Sequence, residues 1–134
     1  MPSAADDLKR VELFSDLSRR QLQKLAGTFH ERRFAAGRDI VREGAMSGIG
    51  FFVVAEGEAT VTVGKKKVAT LGPGDYFGEF ALITEEERTA TVTAQTDVRC
   101  LEIPFPDFRK FAHSNPDVTW KLLQHVAGLV QRQR

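Results

Sequence analysis

Between residues 72 and 94 the sequence reads GPGDYFGEFALITEEERTATVTA, and a few residues in it could together hold a small anion. Gly78 and Glu79 open the apolar run Phe80–Ala81–Leu82–Ile83, whose lack of alternation suits one turn of helix as well as a strand. A helix starting there would aim unpaired backbone N–H groups outward, and a glycine at its start lets a phosphate come close to the backbone. Arg88 follows ten residues after Gly78, and a planar guanidinium can hold a phosphodiester through two parallel hydrogen bonds. Glu79 carries the wrong charge for a phosphate, but it is the right acceptor for a sugar hydroxyl. One arginine and one helix start suit a singly charged ligand, with ribose and phosphate read together. On residue chemistry alone, an ion pair between Arg88 and the preceding Glu85–Glu86–Glu87 run accounts for the same residues equally well.

The surrounding elements must be β. From Phe29 to Ile103 the runs Phe29–Phe34, Asp39–Val41, Phe51–Ala55, Ala59–Val63, Val68–Leu71, Arg88–Ala94 and Val98–Ile103 are short and rich in Val, Phe, Ile and Thr. Glycine or charged turns separate them, including Glu56–Gly57, Gly64–Lys65 and Gly72–Pro73–Gly74–Asp75. This pattern predicts a sandwich, jelly roll or barrel. Helical spacing flanks it on both sides. Leu8, Val11 and Leu13–Phe14 open the chain, and Ser18 with Gln21 forms a capping box for a second helix ending at Gly27. After Pro104, a short helix over Pro106–Ala112 precedes a last one, for which Asn115, Pro116 and Asp117 supply N-cap, first-turn proline and first-turn acid. That helix runs to about Gln131 and carries two apolar stripes. Val118, Leu122, Val126 and Leu129 fall on one side, and Trp120, Leu123, Ala127 and Val130 on the other. A surface helix normally needs one stripe, so the second predicts a further contact: a second subunit, a segment outside this chain, or a Trp120 folded onto the domain's own helices.

Composition narrows the function. The 134 residues suit one domain, and 19 basic against 18 acidic residues give a net charge of +1, which argues against electrostatic capture of nucleic acid or of an anionic membrane. The single cysteine, Cys100, lies in an apolar strand and reads as a buried thiol. His30, His113 and His125 are scattered, with no His-x-His pair, so the chain lacks the ligand set of a metal-dependent barrel enzyme. No nucleophile–base pair stands out, and the expectation is a binding domain without catalysis. The N-terminus has no signal-peptide core and no apolar run has membrane-spanning length, which makes the expected location cytoplasmic.

The run Gly78-Glu79-Phe80-Ala81-Leu82 followed by Arg88-Thr89-Ala90-Thr91-Val92 closely resembles the phosphate-binding cassette of cyclic-nucleotide-binding domains. That family includes catabolite activator proteins and the regulatory subunits of protein kinase A. Leu13–Ser18 resembles the family's N-terminal helical segment, Ile40–Gly44 and Phe52–Glu58 its early strands, and the helix after Asn115 its C-helix. The resemblance implies a mainly β fold with flanking helices. It would be an eight-stranded jelly-roll barrel, with N-terminal helices over 1–28, the barrel over 29–103 with its cassette over 77–92, and B and C helices over 104–134. It also implies that Arg88 pairs with the cyclic phosphate of cAMP, or of cGMP, and that Glu79 takes the ribose 2′-hydroxyl. Backbone N–H groups near Gly78, Ala81 and Thr89 would cradle the phosphate, Phe80 would anchor the short helix, and Val61 and Val68 would wall the base. Val130, Gln133 and Arg134 become candidates for a lid.

Two departures from the family pattern stand out. Glu87 occupies a place where proline is common, and Thr89 sits where alanine accompanies cAMP and threonine accompanies cGMP in kinase-type domains. The two other readings compatible with the fold are the sensor fragment of a transcription regulator and a dimerisation domain that has lost its ligand.

Overall fold

The computed structural model describes residues 3–42, 50–77 and 90–132, without the side chains of Leu129 and Arg132. Helix α1 (Ala4–Lys9) begins at Ser3, which exchanges capping hydrogen bonds with Asp6. A 3-10 turn over Glu12–Phe14 follows. Helix α2 (Arg19–Ala26) starts with the capping box expected from Ser18 and Gln21. The opening helical stretch is thus two short pieces rather than one, and Leu8, Val11 and Phe14 are buried from both. Arg19 ties α2 back to α1 by donating to Asp6 at 2.8 Å.

Among the described residues, eight strands form two antiparallel sheets of four. They are β1 (His30–Phe34), β2 (Asp39–Val41), β3 (Gly50–Glu56), β4 (Ala59–Val63), β5 (Lys66–Leu71), β6 (Tyr76–Phe77), β7 (Thr91–Ala94) and β8 (Val98–Pro104). One sheet has the order β1-β8-β3-β6 and the other β2-β7-β4-β5. A strand lies in each of the seven runs expected from the sequence, with β2 and β4 ending where expected. The addition is β6, whose two residues pair with β3 as Phe52 with Phe77 and Val53 with Tyr76. Two residues carry no readable period, so only the pairing reveals the strand.

Strand β3 explains why the core divides. Its residues from Gly50 to Ala55 are all buried, because the strand is covered on both faces. Phe51 and Val53 point toward the helices and join Leu8, Phe14, Leu25, Leu101, Ile103, Phe111 and Val118. Phe52 and Val54 point between the sheets and join Phe77, Val92, Ala94, Val98 and Cys100. The Phe52 and Phe77 rings stack at 4.9 Å. Burial, reinforced by Glu102, pushes the Cys100 thiol up to about 12, so this cysteine is inert packing, as its apolar strand suggested.

Helix α3 (Phe105–Ser114) and helix α4 (Pro116–Arg132) close the fold. The Asn115 carbonyl accepts from Thr119 to start α4, while its side-chain amide donates backward to the Phe111 carbonyl and finishes α3. Asn115 therefore serves the end of one helix as well as the start of the next.

The turns make a stability prediction. Gly57 has φ +90°, and a Cβ there would stand 2.2 Å from the Asp97 carbonyl oxygen. Gly37 has the same φ with nothing within 4 Å. Gly57→Ala is therefore expected to lose about 1–3 kcal/mol of unfolding free energy, and Gly37→Ala only the backbone part, about 1 kcal/mol. Urea melts of the two variants measure the difference; equal losses would mean that the β3–β4 turn moves freely away from Asp97.

Candidate functional site

The chain leaves one sheet at Phe77 and enters the other at Thr91. The segment between them carries Gly78, Glu79, Phe80, Ala81, Arg88 and Thr89, all of which lie outside the described residues. Its two anchors are firm. Phe77 is 7% exposed and Val92 3% exposed, and both belong to the cluster between the sheets. The segment is therefore tethered at each end to the inner core, with one end in each sheet.

Val61 stands directly across from Val92 on the neighbouring strand and packs half-buried against the same inner cluster. It thus lies on the face that the two sheets enclose. Val68 is placed differently. The β4–β5 register shifts between Val61 and Thr62, whose partners are Ala69 and Lys67. This leaves Val68 as the extra residue of a bulge, 52% exposed. A bulge re-aims a side chain relative to the strict alternation of a strand, and the spacing of the hairpin gave no sign of it.

The inner face of the first sheet holds a charged pair that the sequence reading did not identify. Glu102 shares its side of β8 with Val98 and Cys100, and only 8% of the residue is exposed. Arg32 on the adjacent strand donates to it at 2.6 Å and lies 5.2 Å over the Phe34 ring. The signal in the sequence was a lone carboxylate inside Cys100-Leu101-Glu102-Ile103. Being paired, it satisfies the requirement for a buried charge.

At the opposite end of the same sheet, Asp7 is 1% exposed and receives Arg10 at 2.8 Å and Arg99 at 3.3 Å. Arg99 also faces Glu31 and Glu56, each at 3.3 Å. This hub fastens α1 to the barrel. A cleft of about 300 Å³ opens beside it, lined by Arg33, Phe34, Ala35, Glu56, Asp97, Val98 and Arg99. Neither Val61 nor Val68, the two described residues among those expected to bind ligand, lines that cleft. Nothing in the spacing of Asp7 distinguished it from an ordinary first-turn acid.

Helix α4 presents its two stripes unequally. Val118 is buried and Leu122 packs on the helical side of the core, but Val126 is 37% exposed. On the other side Trp120 is 60% exposed, with Leu123 and Val130 each at 55%; Ala127 is exposed as well. Trp120 does not fold back onto the domain's own helices. Gln21 ties α2 to α4 by donating to Asp117 at 2.7 Å and accepting from Lys121 at 2.9 Å, and the Gln21 bond holds the exposed Asp117 carboxyl below its ordinary range. Of the lid candidates only Val130 is described; Gln133 and Arg134 lie outside the described residues. Among the described residues no helix is long and apolar enough to cross a membrane, and no group of three His, Cys, Asp or Glu is arranged to hold a metal ion.

The cyclic nucleotide-binding domain family matches residues 31–115, and the chain belongs to that family. It is 43% identical over 88 residues to a cGMP-dependent protein kinase of Eimeria tenella, covering 66% of this chain and 9% of that protein. It is 39% identical over 104 residues to the cAMP-dependent protein kinase regulatory subunit of Schizosaccharomyces pombe, covering 77% of this chain and 25% of that subunit. The chain thus spans a quarter or less of these relatives. Among solved structures, the N-terminal domain of a transcriptional regulator from Streptomyces coelicolor A3(2) superposes with a TM-score of 0.88 at 30% identity, covering 96% of this chain and 95% of that one. The chain is a cyclic nucleotide-binding regulatory domain built on two antiparallel sheets with flanking helices.

Proposed function

We propose that residues 1–134 act as a single cyclic-nucleotide sensor that prefers cAMP, accepts cGMP less well, and performs no catalysis. The observation that carries this is the segment 78–89, which lies inside the family match and is anchored at Phe77 and Val92 to the core between the sheets. Arg88 takes the cyclic phosphate, with backbone N–H groups near Gly78, Ala81 and Thr89 beside it. Glu79 takes the ribose 2′-hydroxyl, Phe80 anchors the segment, and Val61 and Val68 contact the base. Binding is converted into movement of α4. The domain works in the cytoplasm and by itself engages neither nucleic acid nor membrane, in keeping with its net charge of +1. Calorimetric titration with cAMP and with cGMP, on protein refolded free of bound nucleotide, tests the reading. Saturable heat with at least one nucleotide is expected, tighter for cAMP. A folded protein that gives no heat with either would end it and leave an interaction domain of the same fold.

The exposed face of α4 fits a second copy of this chain. Trp120, Leu123, Ala127 and Val130 recur at intervals of three, four and three, the seam of a two-stranded coiled coil. The residues flanking that seam include Thr119, Gln124 and Gln131, which bring no like charges together in a symmetric pair. Trp120→Glu should weaken self-association about 30-fold or more, the scale of losing an aromatic anchor, as read by sedimentation equilibrium. A wild-type protein that stays monomeric at high concentration would refute the pairing. The likeness to a transcriptional regulator's N-terminal domain favours the sensor part of a transcription regulator as the second reading.

A further inference from the structure

His125 lies on α4 and contacts the N-terminal segment, and its side chain is 10% exposed. Nε2 stands 3.9 Å from a Glu12 carboxylate oxygen on the 3-10 turn, and Nδ1 stands 3.8 Å from an Asp16 carboxylate oxygen just beyond it. Nε2 is buried without a hydrogen-bond partner. A neutral imidazole carries one N–H and one lone pair. Whichever nitrogen holds the proton, the other leaves a lone pair, not an N–H, within 4 Å of a carboxylate oxygen. The imidazolium has an N–H on both sides, so only the protonated ring complements both anions.

We propose that His125 makes the docking of α4 on the N-terminal segment proton-linked, tightened by proton uptake and loosened by proton loss. The other charges around α4 are committed elsewhere or lie at the surface. Lys121, one turn earlier, donates to Gln21 of α2, which also holds Asp117. Arg19, Arg20 and Lys24 of α2 are exposed, as are Asp107, Arg109, Lys110 and His113 of α3. Among the described residues, Glu12 and Asp16 are therefore the charges that face the ring, and both are negative. Because their side chains are 71% and 67% exposed, they can take amide substitutions without a packing cost.

The proton linkage stands on this geometry alone; its effect on nucleotide binding rests on the reading that α4 moves with ligand. Melting is followed from about pH 8 to about pH 6, the range in which an ordinary imidazole titrates. As pH falls, wild type should gain stability over His125→Gln, the ratio of their unfolding constants changing at least about threefold. His30 and His113 are common to both proteins and cancel. The double variant Glu12→Gln/Asp16→Asn should lose the same pH-dependent gain, and it decides the matter if His125→Gln does not fold. Wild-type and double-variant profiles that stay parallel overturn the proposal. Titration of cAMP over the same range then separates the two ideas. Affinity that varies with pH in wild type and not in His125→Gln joins the latch to the sensor. Absence of binding at every pH counts against the sensor, and the melts alone then judge the latch.

Discussion

Arg88→Ala is expected to bind cyclic nucleotide roughly 30- to 5,000-fold more weakly than wild type. Truncating one partner of a desolvated, hydrogen-bonded charge pair costs about 2–5 kcal/mol, and each 1.4 kcal/mol is about a factor of ten in affinity. In the proposed reading phosphate recognition dominates, because the base would meet only a few apolar contacts, such as those from Val61. The competing use of Arg88 is an ion pair with the Glu85–Glu87 run. An exposed pair of that kind is worth about 0–1 kcal/mol and contributes nothing to ligand affinity. Calorimetry on the variant therefore separates the two: affinity within about twofold of wild type would assign Arg88 to the surface. Arg88→Lys keeps the charge but loses the planar fork, so an intermediate loss is expected. Melting temperature should scarcely change in either variant if, as proposed, this residue's task is the ligand.

The second large effect falls on stability. Asp7→Ala is expected to lose about 3–5 kcal/mol, the cost of removing one partner from a buried ion pair. Asp7 is 1% exposed, and the Arg99 side chain it neutralises is 11% exposed. Arg10 can turn to solvent, as its side chain is already 48% exposed, but Arg99 cannot. Glu31 and Glu56 remain near Arg99, yet both reach it from the surface, where a pair is worth little. Glu31→Gln should accordingly cost less than about 1 kcal/mol. Equilibrium denaturation in urea measures both. A loss under about 1 kcal/mol for Asp7→Ala would show that α1 is held by its apolar contacts, chiefly Ala5 and Leu8, and not by the hub.

Much of this architecture was legible because it depends on local rules. The period of two in the β runs, the turn residues between them, and the Ser18–Gln21 capping box each report a choice made within a few residues of chain. The candidate binding segment was legible for the same reason, since Gly78, Glu79, Arg88 and Thr89 lie close together in sequence. The sequence by itself determined the fold class and the family; the residues it offers to the ligand are the ones the proposed function uses.

Tertiary structure decided whatever depends on partners distant along the chain. Strand β6 exists through its pairing with β3. Val68 leaves the strand alternation because of a register shift across the β4–β5 hairpin. Asp7 became a buried anchor only when β8, 92 residues away, brought Arg99 to it. His125 was one more polar residue on a helix until the turn at Glu12 and Asp16 packed against it. Trp120, which the sequence could place inside or outside, is exposed because Val118 and Leu122 fill the space over the core. In each case the decision was made by burial and charge pairing between elements, and no short stretch of sequence carries that information.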